Sequence, residues 1–312
     1  MKMRKVAIAT AVSLLAIAGA AQAQDVCFGL AEGDCAVITS ATENTLASAT
    51  SFNQTWTIDF SVTGVPDMGA ISFVANGSGP VVFDPSAPFP ISFDQTVTAT
   101  FNDGTTSGGG DTQAIIKDGM LYVNQGEAGF GSVNLTEALA DASTNGTLPV
   151  NPSDIMGMGG DSAQMEQMMG MMSSLAPLAE IDGFLTYTRN GATFTFVADI
   201  TKLISDPNFQ TTLTELSSAA GPEGQQLAMM GSILPMLLSE GTITVMQTVD
   251  EGANIVTGLD FNVSANINGA MMDPNMTEPI VISLKFSVDL SDVNGSFNIA
   301  APANSTPIEM GS

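Results

Sequence analysis

Histidine is absent from this sequence of 312 residues, cysteine occurs twice and tryptophan once, and only seven residues are basic. Without histidine, Ser-His-Asp and Cys-His triads, His-rich zinc sites and the commonest general base are excluded. No glycine-rich loop runs into Lys-Ser or Lys-Thr to cradle a phosphate, and no Asp-x-Asp-x-Asp-Gly run forms a calcium loop. The 32 acidic residues sit singly in turns and on the polar phases of strands, the pattern of a solvated surface. A pair of carboxylates distant in the chain is the one route left to glycosidase-like acid/base chemistry. The expectation is a protein that is not an enzyme and uses neither metal nor cofactor.

The basic residues are also unevenly placed. Lys2, Arg4 and Lys5 precede an apolar run from Val6 to Ala18, and Ala21-Gln22-Ala23 offers the small-x-small pattern of a signal-peptidase site. Residues 1–23 therefore read as a signal peptide, and residues 24–312 as one exported domain. That domain holds only Lys117, Arg189, Lys202 and Lys285, so it is more acidic than the net charge of −25 for the whole chain. Such a surface repels nucleic acid and anionic membranes and also serves solubility. No later run is long and apolar enough for a membrane helix, which places the domain in the periplasm or outside the cell.

Cys27 and Cys35 lie close together in an exported chain, and a disulfide closing that short loop is the default expectation. Gln24-Asp25-Val26 is unlike the small, aliphatic stretch that precedes an acylated cysteine, so no lipid anchor is expected at Cys27.

The clearest patterning is near the C-terminus. Ile255, Thr257, Leu259, Phe261, Val263, Ala265 and Ile267 alternate with polar residues, and Ile280, Ile282, Leu284, Phe286, Val288 and Leu290 do the same. These are two strands with one wet and one buried face, neighbours in an antiparallel sheet. Trp56, Ile58, Phe60 and Val62 alternate in the same way. Shorter strands are expected at 70–75, 81–83 and 93–101, with turns at Asn76-Gly77, Asn102-Asp103-Gly104 and Gly108–Gly110. Asp118-Gly119 suits a type I′ hairpin between strands spanning 114–123, and Asn190-Gly191 turns another. Residues 30–49 read as a short, imperfect helix. A strand running into a polar cap and a helix occurs twice, at Asn134-Leu135-Thr136 and at Asp199-Ile200-Thr201, and this echo points to two similar halves of one sheet.

Methionine is abundant, with 19 residues. Met165, Met168, Met169 and Met172 follow helical spacing, and a second apolar helical region spans Leu227 to Leu238, with Met230 and Leu234 on it. Three readings remain open for the thioether stripe: protein core, the wall of a pocket for acyl chains, or Cu(I) ligands that would include Met156 and Met158.

The hairpin Lys117-Asp118-Gly119-Met120-Leu121-Tyr122-Val123, the strand-to-helix run Asn134-Leu135-Thr136-Glu137-Ala138-Leu139, and the ending Phe286-Ser287-Val288-Asp289-Leu290-Ser291-Asp292-Val293-Asn294 with Ile299-Ala300-Ala301-Pro302 together resemble the half-barrel lipoprotein carriers of bacterial envelopes, the LolA and LppX/LprG-like group. The resemblance implies an α+β fold in which a curved antiparallel sheet, an unclosed half-barrel, carries helices on its concave face. It also implies an apolar cavity for lipid or lipoprotein acyl chains, and no catalytic residue. The chain departs from many relatives in lacking an acylated cysteine after the leader, and in a longer, more apolar Met-rich insertion. On this reading Trp56, Phe60, Phe261 and Phe286 line the cavity from the strands, and Met165, Met168, Met169, Met172, Met230 and Leu234 line it from the helices. The competing class is a structural or adhesive surface protein with a solid core and no ligand.

Overall fold

A computed structural model of the chain describes residues 30–66, 69–84, 86–87, 89–138, 183–209, 211, 235–271, 276 and 278–308. Helix α1 spans Glu32–Ser48 and α2 spans Ile200–Ser205. The strands are β1 (Ser51–Thr63), β2 (Ile71–Phe83), β3 (Ile91–Asp103), β4 (Ser107–Lys117), β5 (Met120–Asn124), β6 (Phe130–Asn134), β7 (Leu185–Asn190), β8 (Thr193–Asp199), β9 (Leu238–Asp250), β10 (Ile255–Ile267), β11 (Ile280–Ser291) and β12 (Ser305–Pro307). All twelve form one curved, unclosed sheet in the order β12-β6-β5-β4-β3-β2-β1-β11-β10-β9-β8-β7. The fold is α+β, dominated by this sheet.

The alternation of the sequence becomes a two-faced sheet because the register keeps like residues on one side. Ile58 pairs with Phe286 on β11, Phe286 with Phe261 on β10, and Phe261 with Val245 on β9. In the other direction Ile58 pairs with Ala75 on β2, and Ala75 with Ala99 on β3. Apolar side chains therefore run in rows across the sheet on one face, while Thr55, Thr57, Asp59 and Ser61 take the other.

Three buried clusters punctuate the apolar face. At one end Val81, Phe93, Ile116 and Leu121 pack with Phe52, Phe89 and Leu135. In the middle Trp56, Ala75 and Val288 pack with Ile58, Phe73 and Phe286. Toward β7, helix α1 presses Ala41, Val37 and Ile38 onto Phe194, Val249 and Tyr187. Helix α1 is held there by polar contacts as well: Gln247 Nε2 donates to Thr42 Oγ1 at 3.0 Å, and Val256 N to Thr45 Oγ1 at 2.8 Å.

Three turns differ from the sequence expectation. Residues 71–75 and 81–83 belong to the single strand β2, which runs straight through Asn76-Gly77. Gly77 lies opposite Trp56, and a Cβ there would stand 2.6 Å from the indole Nε1, so glycine is required by the ring above it. Gly108–Gly110 likewise belong to β4, where a Cβ on Gly108 would meet the Phe101 ring at 2.9 Å. The second hairpin turns one residue later than expected, since Asn190 pairs with Thr193 and leaves Gly191 (φ 58°) and Ala192 at the tip. Leu238, expected to end a helix, begins β9. Asp118 (φ 53°) and Gly119 (φ 76°) do form the left-handed pair of a type I′ turn.

The paired strand-to-helix caps are present. Asn134 Oδ1 at the end of β6 accepts from Glu137 N at 3.2 Å, and Asp199 Oδ1 at the end of β8 accepts from Lys202 N at 3.1 Å. After β11 the chain passes along the polar face, where Phe297, Asn298 and Ile299 lie near Val82, Ser92 and Lys117. It ends by pairing β12 parallel to β6.

Candidate functional site

The apolar face between the helix-covered end and the Phe89 end is where the structure gathers the strand residues singled out from sequence. Trp56, Phe60, Phe261 and Phe286 all stand on it, in rows fixed by the register. Trp56 is buried at 3% exposure, whereas Phe60, Phe261 and Phe286 are half-buried. Ile58, Phe73, Val97, Leu259, Val263 and Leu284 are half-buried too, and Phe101 is 46% exposed. Met165, Met168, Met169, Met172, Met230 and Leu234 lie outside the described residues, as do Met156 and Met158. So do residues 1–23 and Cys27. Cys35 lies in the first turns of α1, and its expected partner Cys27 is outside the described residues.

Sequence reasoning missed two glutamines on this face. Gln54 and Gln95 are 3% and 2% exposed. Gln95 is a connector: its Oε1 accepts from Trp56 Nε1 at 3.2 Å, and its Nε2 donates to the Gly79 carbonyl at 2.9 Å. Gln54 stands in the phase of Phe52 and Trp56, opposite Leu290 on β11 and Gly79 on β2. Its Nε2 is buried and has no hydrogen-bond partner among the described residues. The available signal was a lone amide interrupting the apolar phase of β1.

Polar chemistry gathers at the α1 end. Asp34 accepts from the Tyr187 hydroxyl at 2.8 Å and from Arg189 Nη1 at 2.5 Å, while Arg189 Nη2 reaches Glu251. The guanidinium lies over the Phe194 ring, 4.8 Å from its centroid. The hydrogen bond from Arg189, and secondly that from Tyr187, hold the Asp34 carboxyl below its ordinary range. Burial, and next the hydrogen bond to Asp34, push the Tyr187 hydroxyl up to about 12. This network fastens the helix to strand β7, and Arg189 ties β7 to the turn after β9. On the opposite face, burial and then the charge of Asp289 raise the Asp260 carboxyl. Among the described residues no group of three or more His, Cys, Asp or Glu side chains could hold a metal ion.

Depressions lined by described residues include two that do not involve Trp56, Phe60, Phe261 or Phe286. One of about 250 Å³ lies by Met120, Asn134, Ala138 and Ile308, and one of about 190 Å³ lies by Asp84, Ser92, Lys117 and Phe297. Both are at the β4–β6 side of the molecule, away from the Phe261–Phe286 rows.

No protein-family model and no curated protein sequence matches the chain. Among solved structures it is similar to the crystal structure of LprF from Mycobacterium bovis, at 12% identity and a TM-score of 0.33, over 86% of this chain and 96% of that one. It is also similar to a beta-barrel-like protein of domain of unknown function DUF1849 from Brucella abortus, at 9% identity and a TM-score of 0.14, over 78% of this chain and all of that one. At these TM-scores neither likeness bears on ligand or activity, and the functional reading rests on the geometry of the apolar face.

Proposed function

We propose that this is an exported, non-enzymatic binding protein that holds a lipid or other hydrophobic molecule against the apolar face of its sheet. The observation that carries the reading is two neighbouring rows of large side chains, Phe60 with Phe101 and Phe261 with Phe286, that strands β1, β3, β10 and β11 line up on one face and leave half-buried or exposed. A contiguous apolar surface of this kind marks an interaction site when it is not simply core. Binding would be by burial, about 0.8 kcal/mol for each methylene taken out of water, so two acyl chains suffice for tight retention without a charged contact. The acidic surface disfavours anionic partners. The Met-rich stripe at 165–172 and the Met230–Leu234 region would complete the cavity wall, with thioethers adapting to variable chains. The leader at 1–23, the Cys27–Cys35 pairing and the single domain over 24–312 belong to the same reading, as does a place outside the cytoplasm. Among the described residues no helix is long and apolar enough to cross a membrane.

The solid-core reading is favoured by one observation, that in the middle of the same face Trp56, Ala75 and Val288 are already buried among protein side chains. Native mass spectrometry of the protein purified from its own envelope or medium, followed by organic extraction and lipid analysis, separates the two. A stoichiometric lipid adduct supports the binding protein. A bare polypeptide mass that is unchanged after incubation with envelope lipids leaves the solid-core protein.

A further inference from the structure

We propose that Gln54 is a polar anchor within the apolar layer and that it selects a ligand bearing a carbonyl oxygen, an acyl ester rather than a bare or ether-linked hydrocarbon. The inference rests on the hydrophobic-ligand reading above and adds to it the chemical class of the ligand. Buried amide donors are almost always paired, because an unpartnered N–H gives up its hydration and gains nothing. Gln95 shows how this sheet treats such a group: both ends of its amide are engaged, by Trp56 and by the Gly79 carbonyl. Gln54, across Gly79 from Gln95 and two residues from Trp56 on the same strand face, leaves its Nε2 without a partner among the described residues while being 3% exposed. The strand offers a simple apolar alternative at that position, since Phe52, Trp56, Ile58 and Phe60 fill the same phase. An amide kept there, sealed from water, needs an acceptor that arrives within the apolar layer. The carbonyl of an ester-linked acyl chain is such an acceptor, and its hydrocarbon would lie along the rows of Ile58, Phe286 and Phe261.

The test compares two probes on the full mature chain, stripped of lipid: dioleoyl phosphatidylcholine and its dioleyl ether analogue, which lacks the carbonyls. The wild type binds the ester about tenfold more tightly, the size of one hydrogen bond to a buried donor. Gln54→Leu removes the donor at similar volume and brings the ester-to-ether ratio to about one, mainly by weakening ester binding. Gln54→Met serves as a second donor-free variant if the first does not fold. A wild-type ratio of one, or a preference that survives in both variants, overturns the anchor while leaving hydrophobic binding intact. Failure of the wild type to bind either probe overturns the binding reading itself, and the anchor with it.

Discussion

Replacing Gly77 by alanine adds one methyl group at the point where β2 passes beneath the only tryptophan. The added Cβ would lie 2.6 Å from the indole Nε1, closer than carbon and nitrogen approach without a bond. The ring has little room to yield: Trp56 is 3% exposed, packed with Ala75 and Val288, and its N–H donates to Gln95 at 3.2 Å. Overpacking in a filled core costs about 1–3 kcal/mol and a broken hydrogen bond between buried partners about 1–3 more. Relief of the glycine's conformational freedom returns at most about 1 kcal/mol. The net destabilisation is then about 1–5 kcal/mol, which lowers Tm by roughly 2–20 °C in a domain of this size. Thermal and urea unfolding followed by Trp56 emission measures the stability and the displaced ring together. Trp56→Phe provides a smaller ring, so Gly77→Ala should cost at least about 1 kcal/mol less in that background. A variant with wild-type Tm and wild-type emission would refute the claim that the ring dictates the glycine.

The α1 clamp should weaken at both extremes of pH. Asp34 has its folded pKa below the ordinary 3.8, so its stabilisation is complete above that value and is lost as pH falls through the folded one. Tyr187 has its folded pKa raised from 10.0 to about 12, so its contribution is present below pH 10 and lost as pH rises toward 12. Circular-dichroism melts at pH 2.5, 7 and 11 check this, and Arg189→Ala should flatten the acid side; a melt independent of pH over that range would contradict it. Phe261→Ala, on the half-buried row, weakens acyl-chain binding by about tenfold, the value of two methylenes of contact at about 0.8 kcal/mol each; calorimetric titration giving an unchanged affinity would remove Phe261 from the site. Gly119→Ala places a Cβ at φ 76° in the β4–β5 turn and costs about 1–2 kcal/mol of stability, read as a lowered urea midpoint.

Strong alternation was legible at once. The strand read from Ile255 to Ile267 is β10, and that from Ile280 to Leu290 is β11 but for one terminal residue, because one buried face forces period two on each. Their antiparallel pairing followed from adjacency. The pairing of β11 with β1 did not, since those strands lie more than 200 residues apart, and neither did the return of β12 to β6. Gly77 and Gly108 were read as turns because glycine usually marks them; here each makes room for an aromatic ring on a neighbouring strand, and that neighbour is visible only once the register is known. The same holds for the site. The phase of Phe60, Phe261 and Phe286 puts them on one face, whereas phase alone gives Gln54 and Gln95 no role. Their significance comes from burial and from which amide has a partner. Met165–Met172, Met230 and Leu234 lie outside the described residues, so their part in the site stays with the proposal.

The central claim is that an acyl chain lies on the apolar face, and Trp56 is a built-in reporter of it, being the one tryptophan and standing in the middle of that face. The most direct measurement is the quenching of its fluorescence by phosphatidylcholine brominated along the acyl chains, titrated into lipid-free protein with unbrominated lipid as the control. Saturable quenching is expected at stoichiometric lipid, reversed by competition with the unbrominated form. Lipid that binds by native mass spectrometry yet leaves Trp56 emission untouched would contradict it, as would the absence of binding.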